Sequence, residues 1–289
     1  MLPQGDLYEA ILARRSVRRY EKRPLDEATL AQVREIISGV KPLIPENQFE
    51  VLVRDEATGE DLVTVLGGYG RFYTPPHSLA PYMLGKEHVL EDLGYRSEQI
   101  AVRLTALGIG SCYIGALKRE DKVRVRFGLP KGARIAAFLV FGRPAVAVGG
   151  RTFNTLMRRG LGGHRRLPVE RIFFQGTFDN PAVPPAEIFP LIKAARVAPS
   201  GVNAQPWRFL WCDGRLHLFV TRNNLKYTMA GSQEYRLHDG GICMANVTLA
   251  LEALGMEERW VVYQGTEPGI PDHPADLHPM ARLVMRGEQ

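Results

Sequence analysis

The order of elements in this chain repeats. Two long helical stretches, 90–108 and 236–255, each close on Ala-Leu-Gly and run into an apolar strand: "RLTALGIGSCYIG" (103–115) against "ALEALGMEERWVV" (250–262). Each is preceded by a helix, 25–40 or 186–198, and by strand candidates: 48–55 and 77–85 in the first half, the hairpin 207–222 in the second. Each is followed by a further apolar strand, 133–142 or 280–287. A repeat of this order predicts an α+β fold made of two tandem, diverged copies of one unit, residues 1–175 and 176–289. The stretch 143–185, rich in Gly, Pro and Arg, reads as an extended connection between them.

Local signals support these elements. Residues 6–13 read as a short helix. In "LDEATLAQVREIISGV" (25–40), Asp26 is placed to cap the helix, Leu30, Val33, Ile36 and Ile37 form its apolar stripe, and Gly39 stops it. "QFEVLVRD" (48–55) alternates like a strand. Asp213-Gly214 between two apolar runs predicts a tight hairpin turn.

The 289 residues are 45% hydrophobic and 24% charged, an ordinary globular composition. No run approaches the ~18 apolar residues of a membrane span, and charges from Asp6 onward interrupt any signal-peptide core. Cys112, Cys212 and Cys243 form no CxxC pair, which predicts free thiols and a reducing, cytoplasmic setting. The net charge of +6 favours an anionic partner. The basic residues are spread, and no nucleic-acid motif is present, so a local cluster for an anionic small molecule is the expectation. The seven histidines show no metal spacing, and neither a GxSxG elbow nor a P-loop occurs.

Four stretches have the composition of a binding site, and each also has a plain structural reading. "ARRSVRRY" (13–20) gathers Arg14, Arg15 and Arg18 around Ser16. Guanidinium forks suit phosphate oxygens, although a basic helix end alone also complements the helix dipole. "APSGVNAQPW" (198–207) sets Pro199, Ser200, Gly201 and Asn203 in a loop able to lie against a planar ligand, or to serve as a rigid helix-to-strand connection. "GIGSCYIGALK" (108–118) has three glycines around a strand, where a backbone can approach a ligand, but it opens no helix and is no Rossmann fingerprint. "GGHRRLPVERIF" (162–173) supplies His164, Arg165 and Arg166 before Leu-Pro, and on its own is an ordinary basic loop.

Together the four stretches resemble the nitroreductase family of FMN-dependent oxidoreductases. The carriers of the resemblance are "RRSVR" (14–18), "LGIGSCYIG" (107–115), Arg166 two residues before Pro168, and "APSGVNAQPW" (198–207). In the usual member the Pro-Ser loop follows soon after the Arg-Arg-Ser motif, and the enzyme is a homodimer with FMN at the interface. Here the loop comes after the other three motifs. The resemblance therefore implies a nitroreductase-like fold in which two halves fused in tandem form a pseudo-dimer within one chain.

The resemblance also implies roles. Arg14, Arg15, Ser16 and Arg18 would hold the phosphate, ribityl chain and pyrimidine edge of FMN, and Arg166 its phosphate. Tyr113, Ile114 and Gly115 would line the site, with the backbone of the last two toward the reactive edge. Many members carry Glu near this place, and this chain does not. Pro199, Ser200, Gly201 and Asn203 would cover one flavin face, with Gln205 and Trp207 supporting that loop. His164 stands where some members have Lys. The first half's counterpart of the loop, "ISGVKPLIPENQF" (37–49), lacks Pro-Ser-x-x-Asn, and the second half has no Arg-Arg-Ser-x-Arg, so one FMN per chain is expected.

The implied function is NAD(P)H oxidation, NADH or NADPH serving as co-substrate, with electrons passed to a nitroaromatic, quinone or similar small-molecule acceptor. The flavin carries the chemistry, and no catalytic side chain or metal is required. The expected assembly is a monomer, with no nucleic-acid or membrane partner. The alternatives are a flavin-binding protein without turnover, another flavin chemistry such as reductive dehalogenation, and nucleic-acid binding.

Overall fold

The computed structural model describes residues 4–54, 75–145, 165–265 and 269–284. The first half contributes α1 (Gln4–Ala13), α2 (Glu27–Ser38), β1 (Gln48–Arg54), β2 (His77–Leu84), α3 (Val89–Ala106), β3 (Gly110–Gly115), α4 (Glu120–Phe127) and β4 (Ala137–Gly142). The remainder contributes β5 (Phe173–Gln175), α5 (Phe189–Arg196), β6 (Trp207–Cys212), β7 (Arg215–Thr221), α6 (Leu225–Ala230), α7 (Tyr235–Leu254), β8 (Arg259–Val262) and β9 (Leu277–Val284).

Each half builds an antiparallel sheet, β1-β2-β4-β3 and β6-β7-β9-β8, in the same strand order. The second sheet gains β5 at its edge, parallel to β6. The expected elements form with small changes at their ends. Asp26 caps α2 by accepting from Thr29 N at 2.9 Å, which satisfies one of the orphan donors of the first turn. Asp213 and Gly214 both take positive φ, 49° and 70°, as a two-residue hairpin turn demands.

Two expectations are corrected, and two short helices are added. The connection 143–185 contains β5, because Phe173 and Ile172 are apolar enough to be fully buried under the second sheet; a strand this short leaves no periodic signal. The part of that connection at 146–164 lies outside the described residues. The strand expected from 133 begins at Ala137, since Arg134 instead makes an isolated bridge to Met83. The short helices α4 and α6 bury only Val123 and Tyr227 respectively, so neither has the apolar stripe that marks a helix in sequence.

The long helices α3 and α7 cross at the centre of the molecule. A Cβ on Gly94 would lie 2.1 Å from the carbonyl oxygen of His238, and one on Gly241 would lie 1.8 Å from that of Glu91. The absence of both side chains is what lets the backbones touch. Gly94 to Gly241, Glu91 to His238 and Gly108 to Gly255 are the same step along the chain, so the repeat read in sequence is also a reciprocal contact in space. The cores interlock: Leu7, Ala10 and Ile11 of α1 pack with Phe209, Leu218 and Val220 of the second sheet and with Ile242 of α7. Trp207, Phe209 and Phe219 are fully buried, each worth on the order of 2–3 kcal/mol in transfer free energy.

Candidate functional site

Where α1 ends, the chain becomes extended and runs beside β3. Val17 N donates to Ser111 O at 2.9 Å, and Ser16 bridges Ser111 in parallel. This pairing fixes residues 14–18 along one wall of a cavity of about 280 Å³. Arg14, Arg15, Ser16 and Arg18 all line it. Tyr113, Ile114 and Gly115 of β3 form the adjoining wall. Arg166 lines it from the far end of the connection, and Pro199, Ser200, Gly201 and Asn203 close it from the second half. All the candidate residues thus meet in one space, while His164 lies outside the described residues. A more open groove of about 790 Å³, between Gln175–Asp179, Trp211–Asp213 and Pro271–Pro274, is lined by none of them.

The loop 199–205 is held in a demanding shape. Val202, Asn203 and Gln205 take φ of 47°, 54° and 50°, a region that costs a non-glycine residue roughly 1–2 kcal/mol. Side chains offset this cost. Arg166 donates from Nη1 to Asn203 Oδ1 at 2.7 Å and from Nη2 to Val197 O at 2.9 Å. Asn203 Nδ2 donates to Arg165 O at 2.9 Å, and Gln205 accepts from Leu167 N at 2.9 Å. Ser200 Oγ accepts from Gln205 N at 2.9 Å, and Asp239 Oδ2 accepts from Gly201 N at 2.7 Å. Gln205 and Trp207 are buried beneath the loop as its support.

The cavity is strongly cationic on one side. Arg14 is 3% exposed, and its Nε and Nη1 have no hydrogen-bond partner. Its Nε lies 3.4 Å from Glu98 Oε1. Burial, and then the like charges of Arg14, Arg15 and Arg196, bring the Arg166 guanidinium down to about 10. Glu98, fully buried behind the wall, accepts from Tyr113 Oη at 2.9 Å; burial pushes its carboxyl up to about 7 despite the nearby Arg14. A group of arginines, with the buried Arg14 keeping unused donors, suits an anion with several oxygens. Among the described residues no group of His, Cys, Asp and Glu is arranged to hold a metal.

Sequence reasoning missed the wall made by α7. Tyr235, His238, Asp239 and Ile242 all line the cavity, and their spacing of three and four places them on one helical face. The available signal was the polar His238-Asp239 pair just before the apolar run 240–245 of that helix.

Two antiparallel sheets of one order, interlocked through paired central helices around a cationic cleft, define the class of fold. A "putative nitroreductase" from Thermotoga maritima MSB8 is similar at 18% identity and a TM-score of 0.58, covering 99% of this chain and 96% of that one. An FMN-dependent nitroreductase from Clostridium difficile R20291 is similar at 18% identity and a TM-score of 0.40, covering 48% of this chain and 86% of that one. No curated protein matches the sequence. The family model described as "Putative TM nitroreductase" matches residues 6–250, and the chain belongs to that family. Membership makes it an oxidoreductase of the nitroreductase type. No helix of the described residues is long and apolar enough to cross a membrane.

Proposed function

We propose that this chain is an FMN-dependent NAD(P)H oxidoreductase that passes electrons to nitroaromatic, quinone or similar acceptors. The observation that carries the reading is the convergence of four distant stretches on one cavity whose buried Arg14 has donors to spare. The residues fit a phosphorylated planar group. Arg14, Arg15 and Arg166 would take the phosphate, and Ser16 and Arg18 would take the hydroxylated chain and ring edge. The backbone of Ile114 and Gly115 would border the ring, and the loop of Pro199, Ser200, Gly201 and Asn203 would cover it. When bound, FMN supplies two-electron transfer from NADH or NADPH to the acceptor. The protein's part is to neutralise the phosphate charge, hold the ring between two walls and keep water from it.

The same reading takes the chain as a pseudo-dimer of halves 1–175 and 176–289 with one working site. Asp92 Oδ1 accepts from Leu43 N at 2.9 Å, as Asp239 accepts from Gly201 N in the loop of the second half. Beside Asp92, however, the protein supplies its own guanidinium. Arg96 bonds to Asp92 at 2.8 and 2.9 Å and to the carbonyls of Ile44 and Asn47, and lies 5.5 Å over the Phe49 ring. This supports one FMN per chain. The thiols of Cys212 and Cys243 are free, which supports a reducing, cytoplasmic setting.

The test is to release and quantify flavin from the purified chain, and then to follow bleaching of bound FMN by NADH and NADPH without oxygen. One FMN per chain, reduced by a nicotinamide, is expected. Two per chain would overturn the single site. Bound FMN that neither nicotinamide reduces would favour a flavin-binding protein without turnover. A chain that takes up no FMN would remove the reading.

A further inference from the structure

We propose that His238 is the proton donor to the electron acceptor. The proposal rests on the FMN-dependent reading above. It gives the second half a chemical role beyond covering the cofactor.

The imidazole lines the cavity from α7 and is 3% exposed. Its Nδ1 makes no hydrogen bond and lies 3.5 Å from Asp239 Oδ1. A buried polar nitrogen left without a bond calls for an explanation. The groups facing the ring are Asp239 of its own helix and Tyr113 of β3, which it meets edge-on at 6.1 Å. Behind Tyr113 stand Glu98 of α3 and Arg14.

Several other protic groups on the wall are held by their neighbours or hold their protons tightly. Arginines hold their protons too tightly. Burial pushes Tyr235 up to about 12, and its oxygen accepts from Leu117 N at 3.2 Å. Tyr113 donates its proton to Glu98, and burial raises it well above the ordinary phenol. Asp239 Oδ2 accepts from Gly201 N and from Tyr227 Oη. His238 places an imidazole, a side chain whose two ring nitrogens can hold and pass a proton, beside the Asp239 carboxylate.

The step balances for a quinone. Bound reduced FMN would supply the hydride and its two electrons, ending oxidised. The quinone becomes a hydroquinone anion. The proton of the His238 imidazolium passes to its oxygen, and the imidazole regains a proton from solvent. Ferricyanide, which takes one electron and no proton, makes no demand on His238.

The experiment uses the FMN-loaded full chain with His238→Gln. FMN affinity and anaerobic bleaching by NADH are measured first, so a fault in the underlying reading shows there and not in the acceptor step. Reoxidation by benzoquinone and by ferricyanide is then compared across pH. The benzoquinone-to-ferricyanide rate ratio is expected to fall roughly 100-fold. The wild-type benzoquinone rate is expected to decline as pH rises, with a flat profile in the variant. Added imidazole is expected to restore His238→Ala in part. Independently of turnover and of the variants' folding, NMR titration of the loaded wild type should show the His238 ring changing charge and responding to hydroquinone. An unchanged ratio, equal losses with both acceptors, or an imidazole indifferent to pH and to hydroquinone would overturn the proposal.

Discussion

Arg166 donates from Nη1 to Oδ1 of Asn203 over 2.7 Å, so one guanidinium of the cationic wall also anchors the loop that closes the cavity from the second half. Its Nη2 holds the Val197 carbonyl at the entry to that loop. The planar fork makes both bonds at once, which a lysine ammonium at the same place does not.

Arg166→Lys keeps the charge and loses the fork. Its dissociation constant for FMN should rise roughly tenfold, about 1.4 kcal/mol, while that for riboflavin, which the loop also covers but which has no phosphate, should rise by a smaller factor. Titration by quenching of flavin fluorescence reads both. Equal weakening of the two ligands, or of neither, would count against a phosphate at Arg166.

Val202 is a β-branched residue at φ 47° and 48% exposed. Val202→Gly relieves steric strain and adds backbone entropy to the unfolded chain, and the two nearly offset. The variant should be as stable as the parent or up to about 1 kcal/mol more so in urea unfolding. A clear loss of stability would mean that the left-handed turn is not strained.

Glu98 links stability to pH. Its carboxyl is raised from 4.5 to about 7 in the folded state, so the folded protein keeps a proton that the unfolded chain gives up. That contribution is complete below about 4.5 and is lost as pH rises through about 7, at no more than about 1.4 kcal/mol per pH unit. Glu98→Gln, which mimics the protonated form, should flatten the stability profile between those limits. Identical profiles for parent and variant in denaturant titrations would refute the linkage.

Gly241 has no room for a methyl group, since a Cβ would sit 1.8 Å from the Glu91 carbonyl oxygen. Gly241→Ala should force α3 and α7 apart and cost roughly 3 kcal/mol or more, at the upper end of overpacking effects. Unfolding midpoints measure this. A loss below about 1 kcal/mol would show that the crossing yields easily.

Much of the architecture was legible because it is written in local chemistry. Asp26, Gly39, Asp213-Gly214 and the apolar stripes act within a few residues, and helices and strands form where they say. The repeat was legible because each half presents the same order of such signals. β5 and the short helices were not, since Phe173–Gln175, Glu120–Phe127 and Leu225–Ala230 carry too few buried positions for a period.

The candidate site divides the same way. The sequence by itself determined the chemistry of its parts: arginine forks at 14–18 and 166, a glycine-bearing strand, and a Pro-Ser-Gly loop, each fixed by residue type. Only the tertiary structure decided that they share a cavity, because residues so far apart meet through the close crossing at Gly94 and Gly241 and the interlocked cores. The tertiary structure alone also brought Tyr235, His238 and Asp239 to the wall and put Glu98 behind it. Which face of a buried helix meets a cleft depends on what packs against every other face, and that is a property of the assembled molecule.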